Sequence, residues 1–357
     1  MEIKKTLLPV EKLKPLYDDA LKLKFGKHFT DYMFTLEYQE GQGWHSAEIK
    51  PYQPLVLEPS AAVFHYGQEI FEGQKAYKSK QDEILLFRPR ENAKRFNRSM
   101  TRMSMPEIPV EDFLHYEEEL LKLEERWIPK QKGASLYIRP TGIAVEPSLG
   151  VKPADRYLFF IILSPSGPYY STGFNPVSLW VSTDYSRAGE GGTGDAKAGG
   201  NYGGSLAATR VAFQHGYNQV LWLDAKEHRY VEEVGAMNIF FLMDNKLITP
   251  PLTGTVLPGI TRQSLLEMAP DLGIEAVEKR ITIDEVVAAI ASGKVTEIFG
   301  TGTAAVISPV GKLNYKNKEY TLNNNQTGPW TQKFFDLLTG IQYGESEDKY
   351  GWVHRVK

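Results

Sequence analysis

Cysteine is missing altogether from this 357-residue sequence. Its absence excludes disulfides, thiolate metal sites and cysteine nucleophiles at once. Long apolar runs are missing too, since none approaches the roughly 20 residues that span a bilayer. Neither sign of charge is in excess: 41 Lys and Arg against 44 Asp and Glu leave a formal net charge of -3. A nucleic-acid partner or a membrane-surface helix is therefore not expected. Histidine is sparse, with seven in all and none in a metal-ligand spacing, so no metal is expected either. The opening MEIKKTLLPVEKLKPLYDD lacks the apolar core and cleavage site of a signal peptide, which makes cytoplasm the expected compartment.

What is present is an ordinary globular composition, 42% hydrophobic and 24% charged, at a length that suits two domains. Strands are expected at 31–39, 83–89, 134–145 and 155–167, and helices at Glu91–Met105 and over the amphipathic stretch 110–128. The turn-rich SPSGPYYSTGFNP then divides the chain. The expected division is an N-terminal α/β domain at 1–164, an interdomain loop at 165–176 and a C-terminal domain at 177–357. The second half holds many strands and few helices. Asp244-Asn245 marks a hairpin, and Thr282-Ile-Asp-Glu285 is a capping box opening a helix to about Ser292. Strict strand–helix alternation is absent, so the class is α+β with a barrel-like second domain.

One stretch is out of character. RAGEGGTGDAKAGGNYGGS (187–205) sets a single lysine, Lys197, among residues with little or no side chain. It is not a phosphate-binding P-loop, because alanine flanks Lys197 on both sides. Nor does GEGGTG (189–194) lead directly into the helix that a dinucleotide fingerprint requires. A lysine so placed is either part of a flexible surface loop or an amine held for covalent chemistry, with room for a flat aldehyde against the backbone. If that aldehyde is pyridoxal phosphate, the chain must also hold a phosphate and keep a pyridine nitrogen protonated. LPGITRQSLLEM (257–268) puts a glycine before a helix, so the amides of Ile260 and Thr261 would face an anion. FGTGTAA (299–305) offers threonine hydroxyls, and VEEVGAMNIFF (231–241) offers Glu233 as a carboxylate for the pyridine.

The ordered set KAGGNY, EEVGAMNIFF, LPGITRQS and GTGTAAVISPV resembles the branched-chain amino-acid aminotransferases, fold-type IV pyridoxal-phosphate enzymes. FGKHFTDYMF, FHYGQEIFEGQKAY, FRPRENAKRFNRSMTRM and LYIRPTGIAVEPSLGV extend the resemblance to nearly the whole chain. It implies a Schiff-base role for Lys197, which would also move the proton between Cα and the cofactor. Glu233 would face the pyridine nitrogen and Tyr202 the phenolic oxygen, while Arg98, Ile260, Thr261 and Thr303 would hold phosphate. Arg95 and Arg102 share the helix of Arg98 and are expected as a solvated basic stripe. For substrate, the resemblance implies the backbone at Thr303 and Ala304 for the α-carboxylate. Phe25, Tyr66, Phe71, Tyr137 and Tyr169 would line an aliphatic side-chain pocket, Val151 would enter it from the partner of a homodimer, and Arg139 would admit the γ-carboxylate of glutamate. The expected reaction exchanges the amino group of leucine, isoleucine or valine with 2-oxoglutarate. A D-amino-acid aminotransferase or aminodeoxychorismate lyase is the alternative on this scaffold, and a non-catalytic anion-binding protein is the alternative of another class.

Overall fold

The structure is a computed structural model that describes residues 1–169 and 174–357, so part of the expected interdomain loop lies outside the described residues. The chain separates into two compact units. The first comprises Met1–Tyr169, Ala196–Gly199 and Gly340–Lys357; the described residues of the second fall within Tyr170–Asp195 and Gly200–Thr339.

The first unit is a mainly antiparallel sheet with helices packed on one face. Five of its strands are β1 (Tyr32–Gln39), β2 (Glu69–Phe71), β3 (Gln74–Lys78), β4 (Ser135–Ala144) and β5 (Arg156–Ser166). β4 pairs with β2, β3 and β5, which makes it the centre of the sheet. Alternation along β4 and β5 sends Leu136, Ile138, Phe159, Ile161 and Leu163 into a core shared with Phe96, Phe113 and Leu120. Those last three come from helices α1 (Pro89–Arg102) and α2 (Val110–Leu123). Tyr137 and Arg139, at the alternate positions of β4, are left for the other face.

Two short segments join this unit from far along the chain. Ala198 forms a bridge with Ile70, and strand Val353–Val356 pairs antiparallel with Ile84–Phe87. The second pairing corrects the expected boundary at 177–357. The last eighteen residues complete the first unit's sheet, because the edge of strand Ile84–Phe87 needs hydrogen-bond partners that local sequence does not supply.

The second unit is built on β6 (Val177–Val181), β7 (Gln219–Leu223), β8 (Val231–Val234), β9 (Met237–Met243), β10 (Val295–Gly302) and β11 (Val306–Tyr315). Among the described residues these six pair in the ring β8-β7-β6-β11-β10-β9, and the β8–β9 pairing closes it. The α+β class with a barrel in the second half is therefore as expected. Leu179, Leu221, Ile239, Ile298 and Leu313, one from each of five of these strands, meet in the unit's apolar core. Asp244 and Asn245 make the hairpin turn after β9 with φ of 49° and 59°. Thr282 caps the helix Ile283–Ala291: its hydroxyl accepts from the Glu285 N–H, and the Glu285 carboxylate accepts from the Thr282 N–H.

Candidate active site

Lys197 is held by its main chain. Its N–H donates to Ser99 Oγ on α1 at 2.9 Å, and its carbonyl accepts from the Phe71 N–H at 3.0 Å. Both ends of the residue are thereby fixed, although the segment carries almost no side chains that could pack. The half-buried side chain brings Nζ to 4.7 Å from the centre of the Phe71 ring. Arg139 reaches the same ring, its guanidinium 4.6 Å from the ring centre, and donates to Tyr137 Oη at 3.2 Å. Tyr137 meets Phe25 edge-on at 4.7 Å, and Phe25 meets Tyr169 in the same way at 5.3 Å. The first unit thus gathers Lys197, Phe71, Arg139, Tyr137, Phe25 and Tyr169 into one cluster of rings and cations. Gly73 makes room for it: a Cβ there would stand 2.0 Å from Tyr137 Oη.

Arg98, on the turn of α1 beside Ser99, is exposed and has no hydrogen-bond or ion-pair partner among the described residues. Arg95 behaves otherwise. It is buried, and its Nε donates to Glu72 Oε1 at 2.7 Å and its Nη2 to Glu72 Oε2 at 2.9 Å. The expectation of a solvated basic stripe fails at Arg95, because its position on α1 faces the sheet, where only a carboxylate makes a guanidinium tolerable. Asn92 and the Gly73 N–H also donate to Glu72 Oε2. Burial pushes the Glu72 carboxyl up, but Arg95, then the charge of Lys197 and the Asn92 amide, hold it below the usual carboxylate value.

Tyr66 and Val151 do not join the aromatic cluster by any ring contact among the described residues. Tyr66 is partly exposed and donates to the Leu149 carbonyl, in the loop that presents Val151 to solvent.

In the second unit, Glu233 on β8 is buried and paired with Arg187, while Asn238 Nδ2 donates to Glu233 Oε1 at 3.0 Å. The same Asn238 amide donates to the Leu257 carbonyl at 2.9 Å, tying Glu233 to the loop before helix α3 (Ile260–Met268). Gly259 is the N-cap of α3 and supplies no side-chain cap, so the helix presents uncapped amides at Ile260 and Thr261. A side chain at Gly259 would displace the Asn238 amide, since a Cβ there would lie 1.9 Å from Asn238 Oδ1. Thr303 and Ala304 form the turn between β10 and β11, closed by the pairing of Gly302 with Val306. Val306 sits at φ 61°, a left-handed conformation that a β-branched residue adopts at a cost of roughly 1–3 kcal/mol. Gly300 and Gly302 bring this turn against Met237 at the start of β9, four residues after Glu233. Tyr202 lies half-buried on the short helix Gly199–Gly204.

Sequence reasoning missed Ser99, Arg187 and Asn238. Each had a signal of a kind. Arg187 is the one arginine at the edge of the glycine-rich stretch, and Ser99 and Asn238 lie inside motifs already singled out. Ser99 and Arg187 have partners remote in sequence, which motif spacing alone does not reveal, whereas Asn238 meets Glu233 five residues away only because β8 and β9 pair there.

In the first unit an amine beside an aromatic ring suits a carbonyl compound, and in the second the uncapped helix amides suit an anion. Residues 69–313 match the family described as Amino-transferase class IV. The chain belongs to the class IV aminotransferases. It is 50% identical to branched-chain-amino-acid transaminase 1 of Bacillus subtilis over 97% of this chain and 99% of that protein. Among solved structures it is similar to the branched-chain amino acid aminotransferase of Escherichia coli, with TM-score 0.77, 28% identity, and 92% and 99% of the two chains covered. It is also similar to the T.th. branched-chain amino acid aminotransferase with pyridoxamine 5'-phosphate, with TM-score 0.75, 25% identity, and 90% and 98% covered. Among the described residues no helix is long and apolar enough to cross a membrane.

Proposed function

We propose that this chain is a pyridoxal-phosphate-dependent aminotransferase that exchanges the amino group of leucine, isoleucine or valine with 2-oxoglutarate, acting as a cytoplasmic homodimer. The observation that carries the reading is the fixing of the Lys197 main chain by Ser99 and Phe71, with its amine 4.7 Å from the centre of the Phe71 ring. The name of the Bacillus subtilis relative, identical at half its positions, supports the choice of substrate.

The residues fit the cofactor by the chemistry of their donors. Lys197 Nζ would anchor its aldehyde carbon. Arg98, the uncapped amides of Ile260 and Thr261, and Thr303 would take the phosphate, which asks for N–H and hydroxyl donors and a guanidinium. Glu233 would take the pyridine nitrogen, and Tyr202 would donate to the phenolic oxygen. When bound, pyridoxal phosphate supplies the electron sink for the bond broken at Cα. Lys197 Nζ would take up the proton released at Cα and return it to the cofactor, a short transfer within reach of one flexible side chain. Arg187 pairs with the Glu233 carboxylate and orients it. The Thr303–Ala304 turn offers main-chain amides to the α-carboxylate, and Arg139 with Tyr137 would receive the second carboxylate of glutamate. Phe25, Phe71, Tyr66 and Tyr169 would exclude water from an aliphatic side chain, worth roughly 1.5–3 kcal/mol when fully buried. Phe64, Leu149 and Val151 are apolar yet largely exposed, which supports a dimer in which Val151 completes the partner's pocket.

The test is direct. Purified protein supplied with pyridoxal phosphate should turn yellow, bleach with borohydride, and transaminate leucine but not D-alanine with 2-oxoglutarate. A protein that stays colourless and inactive overturns the reading, and activity on D-alanine alone moves it to the D-amino-acid enzymes.

A further inference from the structure

Glu232 and Glu233 are neighbours on β8 and point to opposite faces of the strand. Glu233 is taken up by the site above. Glu232 lines a separate cavity of about 280 Å³ within the second unit. It is 7% exposed; Thr255 Oγ1 donates to its Oε1 at 2.5 Å, and its Oε2 is buried with no hydrogen-bond partner among the described residues. A buried carboxyl oxygen without a donor is costly, and here burial pushes the Glu232 carboxyl above its usual value.

The rest of the lining carries two cations, two further carboxylates and an apolar wall. Arg280 and Lys226 line it, both exposed and neither in an ion pair among the described residues. The Arg280 guanidinium lies 3.8 Å from the centre of the Tyr230 ring, which fixes its plane at the rim. Asp224 also lines the cavity, but its carboxylate is filled by the N–H groups of Glu227, Arg229 and Tyr230. Glu190, the remaining carboxylate, is exposed. Val231, Pro250, Pro251 and Val256 supply the wall.

We propose that this cavity is a second small-molecule site, for an α-amino acid with an aliphatic side chain. Its ammonium would sit on Glu232, its carboxylate on Arg280 and Lys226, and its side chain against Pro250 and Pro251. A simple anion would leave Glu232 without its donor, and a simple cation would meet two like charges; a zwitterion satisfies both ends. The site is wired to the first. Arg187 donates to the Thr255 carbonyl at 3.0 Å and is also the partner of Glu233, and the wall runs on through Leu257 into α3.

The probe is α-methyl-L-leucine, which keeps ammonium, carboxylate and side chain but has no Cα proton and so cannot be transaminated. Hydrogen–deuterium exchange on the holoprotein should show protection of residues 224–232 and 250–256 as the probe is titrated. Glu232→Gln and Arg280→Ala should each weaken that protection by about tenfold or more in midpoint, as expected for loss of a charge-assisted hydrogen bond. Lys226→Ala, an exposed change that leaves packing intact, should weaken it less, and leucine methyl ester, lacking the carboxylate, should not protect. No protection of these segments overturns the proposal, as does protection whose midpoint is the same in all three variants, which would report binding elsewhere. The readout is local exchange, so a chain without branched-chain activity would overturn the proposed function while leaving this result to stand or fall alone.

Discussion

Two buried arginine–glutamate pairs, one in each unit, do different work. Arg95 and Glu72 in the first unit close on each other: two guanidinium nitrogens, the Asn92 amide and a backbone N–H converge on one carboxylate. Arg187 and Glu233 in the second unit are joined to loops instead, through the carbonyls of Gly194, Thr255 and Leu257. The first pair fastens a helix to a sheet beneath the lysine. The second holds a carboxylate at the end of a barrel strand and connects it with the turns expected to hold the cofactor. Burial is similar in both, so burial alone does not distinguish a supporting ion pair from a working one. The destination of the remaining hydrogen bonds does.

The comparison can be broken at several points. Lys197→Ala has the largest expected effect, a fall in kcat at the upper end of the about 10²–10⁴-fold that a positioned acid–base group contributes, with the yellow colour lost and the thermal midpoint little changed. Steady-state assay and absorbance check it. Glu72→Gln should act on stability, costing about 3–5 kcal/mol by stranding Arg95, as read by urea unfolding. Glu233→Gln should instead lower kcat by at least about tenfold with the neighbouring fold retained. If Glu233→Gln costs only stability, or Glu72→Gln only rate, the two pairs have been assigned the wrong way round.

A smaller effect concerns pH. Glu117 on α2 is pushed up to about 8 by burial, against the hydrogen bond from Gln74 and with the charges of Glu118 and Glu72 adding to the rise. A carboxyl raised in the folded state binds its proton more tightly there than in the unfolded chain. Its contribution to stability is therefore whole below the unfolded value and is lost as pH rises through about 8. Glu117→Gln, which can still accept from Gln74, should flatten the decline of thermal stability between about pH 5 and 8. An unchanged slope would show that Glu117 titrates normally. Smallest is Thr282→Ala, which removes the cap far from either pair and should cost about 0.5–2 kcal/mol with kcat unchanged.

Local chemistry was legible in the sequence wherever partner and signal lay within a few residues. The Thr282–Glu285 box, the Asp244-Asn245 hairpin and the strands at 134–145 and 155–167 all follow from short-range rules. The α1 helix begins two residues earlier than expected, at Pro89, which suits a first helical turn. Contacts spanning long stretches of chain were not legible. Nothing in RFNRSMTR separates Arg95 from Arg98 until the sheet under α1 is known, and then one is committed to Glu72 while the other stays open. Motif resemblance singled out Glu233 but not the arginine 46 positions before it, because an isolated arginine beside glycines carries no spacing.

The return of Val353–Val356 to Ile84–Phe87 sets a timetable for synthesis. While the ribosome is still making the second unit, the first carries a strand whose outer edge has no neighbour, and that edge closes only after residue 356 has emerged. A nascent chain of this protein therefore exposes a templating edge for most of its translation, and one cut before Val353 keeps it for good.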